Sequence, residues 1–231
     1  MILIVAAMEE EVSAIQSILK DAKSDVYAGV SFVSGTLSDQ EVVVMKSGIG
    51  KGASAMTTTI ALEHYPVSAV LNVGTAGGLA KSADVLDVVI SETIIQYDYD
   101  TSALDGEEGK GLRFMADPSF TNLAVQMSEE LGLSYHVGLI VSGDRFVDHT
   151  YAKALLQAYP QAICAEMEAG SVAQVCSHYQ VPYVVLRSLS DVAWKSENAL
   201  DFNAYKRLAS ERSAQFTAHF VAALAAGHQK N

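Results

Sequence analysis

The chain has 231 residues, of which 50% are hydrophobic, 27 are acidic and 15 are basic, so its formal net charge is −12 at pH 7. This length suits one α/β domain with a sizeable core, and we predict that residues 1–231 form a single domain. The basic residues form no stripe, which argues against nucleic acid or an anionic membrane as a partner. No apolar run is long enough to span a membrane, and the apolar N-terminus lacks a basic segment, so we predict a cytoplasmic protein without a signal peptide.

Apolar runs alternate with helical patterns along the sequence. Runs typical of buried strands are Ile2–Ala7, Val42–Lys46, Ala69–Val73, Val85–Ser91, His136–Val141 and Tyr183–Leu189. Val30–Leu37 is predicted to form a hairpin with Val42–Lys46 across Ser38-Asp39-Gln40. Helices are predicted at Glu9–Leu19, Gly52–His64, Pro118–Leu131, Tyr151–Tyr159 and Gly170–Tyr179, and from a cap at Asp201 through Ala225. This alternation predicts an α/β fold with a parallel or mixed sheet covered on both faces.

The stretch Tyr97–Met115 lacks a clear periodicity and is rich in aspartate, glutamate and glycine. We predict a long loop here. Loops of this length in a compact domain are usually functional or mobile.

Two glycine-rich turns follow predicted strands, at Ser47-Gly48-Ile49-Gly50-Lys51 and Gly74-Thr75-Ala76-Gly77-Gly78. Open α/β sheets bind ligands at the carboxyl ends of their strands, and glycine lets the backbone approach a ligand closely. Neither turn matches the dinucleotide pattern GxGxxG. Gly50-Lys51 in the first turn does not complete the P-loop pattern GxxxxGK, because Met45 stands where that pattern needs glycine. Each turn is either a ligand contact or only a tight connection between strand and helix.

Acidic residues stand beside apolar runs at three places, which are Glu9 to Glu11, Glu166 to Glu168, and Asp191. Glu9, Glu10 and Glu11 begin a predicted helix, where the macrodipole favours negative charge. Successive helical residues point about 100° apart, so at most one or two of these three can face a common cleft. Together the acidic residues predict a site in which one carboxylate acts as an acid and another as a base.

Arg187 and Asp191 lie four residues apart at the end of the last predicted strand. If the strand continues, the two side chains share a face and stand about 13 Å apart, and they could hold opposite ends of a small ligand. The alternatives are a structural ion pair between Arg187 and Glu168, or a helix cap formed by Ser190-Asp191.

The cysteines and histidines show no pattern typical of a metal site. Cys164 and Cys176 have neither metal-ligand spacing nor a disulfide framework, and we interpret both as small buried side chains. The six histidines include no HExxH motif or comparable cluster. We therefore predict no metal and no cofactor.

In combination, six motifs are specific to one family. They are Ala7-Met8-Glu9-Glu10-Glu11, Ser47-Gly48-Ile49-Gly50-Lys51, Gly74-Thr75-Ala76-Gly77-Gly78, Ser142-Gly143-Asp144-Arg145-Phe146, Glu166-Met167-Glu168-Ala169 and Arg187-Ser188-Leu189-Ser190-Asp191. With them the chain resembles, over nearly its whole length, the 5′-methylthioadenosine/S-adenosylhomocysteine nucleosidases of the purine nucleoside phosphorylase superfamily. The resemblance implies a three-layer α/β/α sandwich around a mixed, partly barrel-like sheet, a homodimer, and hydrolysis of an adenine nucleoside to adenine and a 5-thioribose product. It also points to methionine salvage.

The resemblance assigns roles to matching positions. Glu11 matches the base that activates water, and Asp191 matches the acid that protonates adenine N7, with Ser190 holding it. Arg187 matches a residue near the water and the second carboxylate, and Glu168 matches the ligand of the ribose hydroxyls. The remaining positions match substrate-binding residues, which are Met8, Ile49, Thr75, Gly77, Phe146, Val147, Glu166, Met167 and Phe202.

The clearest departure from the family begins at Tyr97. Relatives typically have histidine at Tyr97 and phenylalanine at Leu104, followed by a Tyr-Gly…Gln-x-Pro stretch that is absent here. In the family this segment reaches the partner subunit's 5′ pocket. The departure therefore bears on the preferred 5′ substituent and on the dimer contact, and it leaves the residues for bond cleavage in place.

The two alternative functions are a nucleoside phosphorylase and a nucleoside-binding protein without activity. A phosphorylase on the same fold would need cations for a phosphate dianion, and such relatives carry an arginine-bearing glycine loop where this chain has Ala6-Ala7-Met8-Glu9-Glu10-Glu11. A nucleoside-binding protein without activity usually lacks the acid or the base. The acidic loop and the presence of both carboxylates favour hydrolysis.

Overall fold

The computed structural model of the protein describes residues 1–194 and 198–228, with side chains for residues 1–194 and 205–226. The strands are β1 (Ile2–Ala6), β2 (Lys20–Tyr27), β3 (Val30–Leu37), β4 (Gln40–Lys46), β5 (Ala69–Gly78), β6 (Val88–Asp100), β7 (Lys110–Met115), β8 (Tyr135–Ser142), β9 (Ala162–Glu166) and β10 (Tyr183–Val192). The helices are α1 (Glu9–Gln16), α2 (Lys51–His64), α3 (Ser102–Asp105), α4 (Pro118–Glu130), α5 (His149–Ala158), α6 (Ala169–Tyr179) and α7 (Asn198–His228), with a 3₁₀ turn at Gly106–Gly109.

Within these residues the strands form one mixed sheet, in the order β10-β6-β8-β9-β5-β1-β4-β3-β2, with β7 paired to β6. β10 also pairs with β5, so that β5, β10, β6, β8 and β9 close into a ring. Parallel strands inside an α/β fold are covered on both faces, and β1 and β10 are accordingly buried at every position.

Helices pack on both faces of the sheet. On one face α1, α4 and α7 contribute Ile15, Phe120 and Phe220 to a core with the strands. On the other face α2 and α6 contribute Ala61 and Val172 to a second core. This arrangement confirms the predicted three-layer α/β/α sandwich with a partly barrel-like sheet. None of the described helices is both long and apolar enough to cross a membrane.

The predicted hairpin and the interpretation of the cysteines are confirmed. Leu37 pairs with Gln40, and Ser38 and Asp39 form the turn with φ values of 49° and 62°, which suits a two-residue hairpin. Cys164 and Cys176 are free and fully buried, and burial raises the pKa of both thiols.

The long loop predicted at Tyr97–Met115 is wrong for most of its length. β6 continues to Asp100, and β7 pairs antiparallel with it, with Phe114 opposite Ile94. The acidic, glycine-rich composition belongs to the short connection through α3 and the 3₁₀ turn. β7 lacks the apolar run of a buried strand because every one of its residues is exposed or half-buried.

Other boundaries also differ from the predictions. β2 is an edge strand with mostly exposed polar residues, so it lacks the apolar run that marks a buried strand. β9 is apolar at its first four positions, but it has only five residues and gives a weak signal. α1 ends at Gln16 instead of Leu19, and α7 begins at Asn198 instead of Asp201. The proposed cap at Asp201 and the binding role of Phe202 concern side chains outside the described residues.

Candidate active site

A cavity of about 240 Å³ lies where β1, β5, β9 and β10 end. Its wall brings together most of the predicted site residues, which are Met8, Glu11, Ile49, Thr75, Gly77, Phe146, Val147, Glu166, Met167, Glu168, Ser190 and Asp191. Ala7, Ala76, Arg145 and Ala165 also line it and were not predicted individually, although each adjoins a predicted residue in the sequence. Arg187 is not among the described lining residues.

Glu11 presents its carboxylate to the cavity from the first turn of α1. Met8 is the N-cap residue and Glu11 the third residue of this helix, so the carboxylate reaches back to the N-cap N–H, as in a capping box. Oε2 accepts hydrogen bonds from the N–H groups of Ala7 and Met8, both at 3.0 Å. Oε1 accepts from the Thr75 N–H at 2.9 Å and from its hydroxyl at 3.2 Å. These four donors orient a side chain that is only 3% exposed.

The neighbouring glutamates point away from the cavity, as the helical spacing predicted. Glu9 forms an ion pair with Lys46, and Glu10 forms one with Lys206. Both are substantially exposed. Of the three residues in this acidic turn, only Glu11 is therefore placed for chemistry.

Asp191 lies on the same cavity wall, at the end of β10. It is 2% exposed, and its Oδ1 accepts a hydrogen bond of 2.9 Å from the Ser190 hydroxyl. Ser190 and Asp191 belong to β10 and do not cap a helix. Asp191 Oδ2 would lie 3.2 Å from a Cβ atom at position 77, so glycine there allows the carboxylate its close approach to β5.

The two carboxylates are held beside the same segment of β5. Glu11 contacts Thr75, and Asp191 approaches Gly77. Residues two apart in a strand face the same side and lie about 7 Å apart. Glu11 and Asp191 therefore line the same cavity next to neighbouring positions of β5. Gly74, with φ of +148°, is needed here because a Cβ would lie 2.7 Å from Glu11 Oε1.

Arg187 is buried behind the cavity and forms an ion pair with Glu166, whereas the alternative considered from the sequence was a pair with Glu168. Arg187 Nη2 donates to Glu166 Oε2 at 2.6 Å and to Asn72 Oδ1 at 2.8 Å. Glu166 Oε2 also accepts from the N–H groups of Glu168 and Ala169. Burial acts against the charged guanidinium, but the nearby carboxylates outweigh it and raise the pKa of Arg187. The predicted shared face of Arg187 and Asp191 is also wrong, because a bulge interrupts β10 between Leu189 and Asp191.

Glu168 lines the cavity next to the turn after β4. Its Oε1 accepts a hydrogen bond of 2.9 Å from the Gly50 N–H. Burial, together with the negative charges of Glu166 and Glu11, raises the pKa of Glu168 to about 7, against the opposing effects of Arg187 and the Gly50 bond. The glycine turn after β4 is thus both a strand-to-helix connection and part of the site.

The raised pKa of Glu168 predicts a specific pH dependence of stability. Between pH 4.5 and about 7 the folded chain binds more protons at this residue than the unfolded chain, so Glu168 lowers the free energy of unfolding as pH rises. Glu168→Gln cannot ionise, and its stability relative to the wild type should increase across this range and then level off. Urea denaturation at several pH values measures this, with the exposed Glu41→Gln as the control. A difference that does not vary with pH would contradict the shift.

The loops after β4 and β8 are tied together at the mouth of the cavity. The Lys51 N–H donates to Asp144 at 2.7 Å, and the Asp144 N–H donates to Asp98 at 2.9 Å. The Lys51 ammonium group forms an ion pair with Asp98. This network holds the loop that carries Phe146, whose side chain is 48% exposed at the mouth.

Tyr97, which stands where relatives typically have histidine, supports the loop after β8 that carries Phe146. Its ring packs on Gly143, where a Cβ would lie 2.5 Å from the ring, and its hydroxyl lies 3.5 Å from the Arg145 carbonyl oxygen. Arg145 in turn stacks over the Tyr151 ring at 4.0 Å. The tyrosine at position 97 therefore contacts the loop beside Phe146 and not the two carboxylates, Glu11 and Asp191. Leu104, the second departure, is 86% exposed.

Comparisons with known proteins match nearly the whole chain. A family model described as the phosphorylase superfamily matches residues 1–222. A 5′-methylthioadenosine/S-adenosylhomocysteine nucleosidase of Bacillus thuringiensis is 39% identical over 221 residues, covering 93% of this chain and 95% of that protein. The protein of the same name from Oceanobacillus iheyensis is 35% identical over 223 residues, covering 94% and 97%. A structure of such a nucleosidase from S. pneumoniae, with the transition-state inhibitor MT-ImmA, has a TM-score of 0.90 and 33% identity, covering 96% of this chain and 99% of that chain.

Proposed function

Because the chain belongs to the phosphorylase superfamily and, within it, to the 5′-methylthioadenosine/S-adenosylhomocysteine nucleosidases, we propose how its cavity performs their reaction. The protein is an N-glycosyl hydrolase that converts these nucleosides to adenine and a 5-thioribose product. The observation that supports this function best is the pair of buried carboxylates, Glu11 and Asp191, that line the same cavity.

Asp191 acts as the general acid. Adenine is a poor leaving group until a ring nitrogen is protonated, so a carboxylic acid must deliver a proton to N7 as the bond breaks. Asp191 is buried, which limits exchange of its proton with solvent, and Ser190 orients it. The Gly77 backbone leaves room for the carboxyl group beside the base.

Glu11 acts as the general base. The backbone N–H groups that donate to its two oxygens hold the carboxylate in a defined position. From there the carboxylate takes a proton from the attacking water. Inverting glycosidases use the same arrangement, with carboxyl groups about 6.5–9.5 Å apart to leave room for water.

Glu168 and Met167 bind the ribose. The transition state has oxocarbenium character, and negative charge at Glu168 stabilises it. Glu166 Oε1, Arg187 Nε and Arg187 Nη1 are buried without a hydrogen-bond partner among the described residues. Of these atoms only Glu166 Oε1 belongs to a residue that lines the cavity, where it is available to accept a hydrogen bond from a water beside the sugar.

The opposite end of the cavity binds adenine. Phe146 stacks on the base, and the backbone of Val147 reads its edge. Met8 and Ile49 cover the sugar from the mouth, where Ile49 is 61% exposed. We assign Phe202 to the 5′ side from the resemblance alone.

The charges on the cavity wall favour water over phosphate as the nucleophile. Glu11, Glu166, Glu168 and Asp191 line it. Among the described lining residues the only cation is Arg145, which is exposed and stacked on Tyr151. A phosphate dianion would need cationic or backbone donors facing it, and the turn after β1 presents Glu11 instead.

Adenine release from 5′-methylthioadenosine tests this function directly. We expect equal rates in phosphate-free buffer and with added phosphate, because water is the second substrate. Release that requires phosphate would make the protein a phosphorylase and would contradict the role of Glu11. A chain that binds the nucleoside without releasing adenine in either buffer would be a binding protein.

We further propose that the protein acts as a homodimer that covers the cavity mouth. Ile49, Met56 and Leu104 are exposed apolar residues, at 61%, 56% and 86%. The Lys51–Asp98 ion pair brings the start of α2 to the end of β6, close to α3. Sedimentation should give twice the chain mass of 24.6 kDa, and Leu104→Asp should shift the protein towards monomer. A monomeric wild type would refute the dimer, and Leu131→Asp, at an exposed site on the end of α4, serves as the control.

A further inference from the structure

The direction of the Asp191 side chain depends on a bulge in β10. Leu189 pairs with Ala76 and Asp191 pairs with Gly77, so Ser190 is an extra residue with no partner of its own in this register. In a regular strand Ser190 would stand opposite Gly77, and Asp191 would face the other side of the sheet. The bulge is therefore what brings Asp191 into the cavity while Arg187 stays behind it.

A turn outside the cavity holds the residue just before the bulge. The Leu189 N–H donates to the Asp87 carbonyl at 3.0 Å, and the Leu86 N–H donates to the Leu189 carbonyl at 2.7 Å. Leu86 has φ of +73°, a left-handed conformation that leucine rarely adopts unless its surroundings impose it. Arg212 of α7 donates to the Leu86 carbonyl at 3.0 Å. The β6–β10 pairing ends at Ser188 opposite Val88, so these contacts hold the chain between the last paired residue and the bulge.

The Asp87 side chain fixes this turn in place. Asp87 is 7% exposed, and its Oδ2 accepts a hydrogen bond of 2.8 Å from the Asp84 N–H. The same oxygen lies 2.9 Å from His136 Nε2, on β8 of the strand ring. Asp87 thus joins the turn to a strand that does not itself pair with β10, and it does not touch the cavity.

We propose that Asp87, held by His136, is a positioning residue for the acid Asp191. The inference rests on the proposed hydrolysis, in which Asp191 matters most as the bond to adenine breaks. A displaced turn would release Leu189 and let the bulge relax, so the acid would lose its alignment with N7. Phe146, Glu168 and Met167, which bind the nucleoside, are held by other elements. Loss of Asp87 therefore lowers kcat and leaves KM nearly unchanged.

Steady-state kinetics of Asp87→Ala and Asp87→Asn with 5′-methylthioadenosine test the proposal. We expect at least a tenfold loss of kcat in Asp87→Ala with KM within about twofold. Asp87→Asn keeps an acceptor for the Asp84 N–H and should recover most of the rate. Asp25→Ala, which removes a hydrogen bond to Tyr65 at the far end of the sheet, is the control and should match the wild type. If Asp87→Ala does not fold, His136→Phe removes the same contact and the same loss of kcat is expected.

A second substrate separates positioning of the acid from general damage. A 4-nitrophenyl 5-methylthioriboside has a leaving group that departs without protonation, so Asp87→Ala should cleave it nearly as fast as the wild type. An equal loss on both substrates, a raised KM, or an unchanged kcat for the nucleoside would overturn the proposal. A wild type that releases no adenine would instead refute the proposed function.

Discussion

Asp191→Asn is expected to lower the rate of adenine release by about 10²–10⁴-fold while the nucleoside still binds. Asparagine has the size of aspartate, can accept the Ser190 hydrogen bond and fits beside Gly77, so the cavity should keep its shape. The amide cannot deliver a proton to adenine, so the leaving group would have to depart as an anion. Turnover measures the loss, and calorimetric titration with the nucleoside measures the binding that remains.

Asp39→Asn provides a matched control for the same chemical change. Asp39 lies in the exposed β3–β4 turn at φ of 62°, a conformation that asparagine also tolerates. It should leave both turnover and binding unchanged. Full activity in Asp191→Asn would exclude this residue as the acid, and loss of binding together with turnover would point to a disturbed cavity instead.

Glu11→Gln is expected to lower the rate by a similar factor and also to destabilise the fold. The amide cannot take a proton from water. In addition, three of the four groups that donate to Glu11 are backbone N–H groups, which cannot accept. The amide NH₂ group of glutamine would therefore face either the N–H groups of Ala7 and Met8 or that of Thr75. A buried donor left without an acceptor costs about 1–3 kcal/mol. Turnover and urea denaturation together separate the catalytic loss from the structural one.

The adjacent glutamates provide controls for this variant within the same helix turn. Glu9→Gln and Glu10→Gln remove exposed ion pairs with Lys46 and Lys206, and they should change turnover little. A Glu11→Gln variant with wild-type turnover would show that another group activates the water. Equal losses in all three variants would point to the charge of the helix turn and not to one base.

Three of the strands that build the site were predictable because each begins with an apolar run. β1, β5 and β10 are buried on both faces, and such strands are recognisable as continuous runs of hydrophobic residues. The edge strands β2 and β7 escaped prediction because their residues are largely exposed and their order comes from pairing with β3 and β6. The sequence of an edge strand is a weak predictor of its structure, because the neighbouring strand fixes its position and register through backbone hydrogen bonds.

The site residues also fall into two groups, those marked by the local sequence and those placed by contacts between distant segments. The sequence alone places Glu11, Glu168 and Asp191 beside apolar residues, since the position of a carboxylate next to an apolar run is a local property of the chain. The pairing of Arg187 with Glu166 comes from tertiary contacts, as does the bulge that turns Asp191 into the cavity while Arg187 stays behind it. The physical reason is that burial follows from the hydrophobicity of each segment, whereas hydrogen-bond partners and strand register come from segments far apart in the sequence.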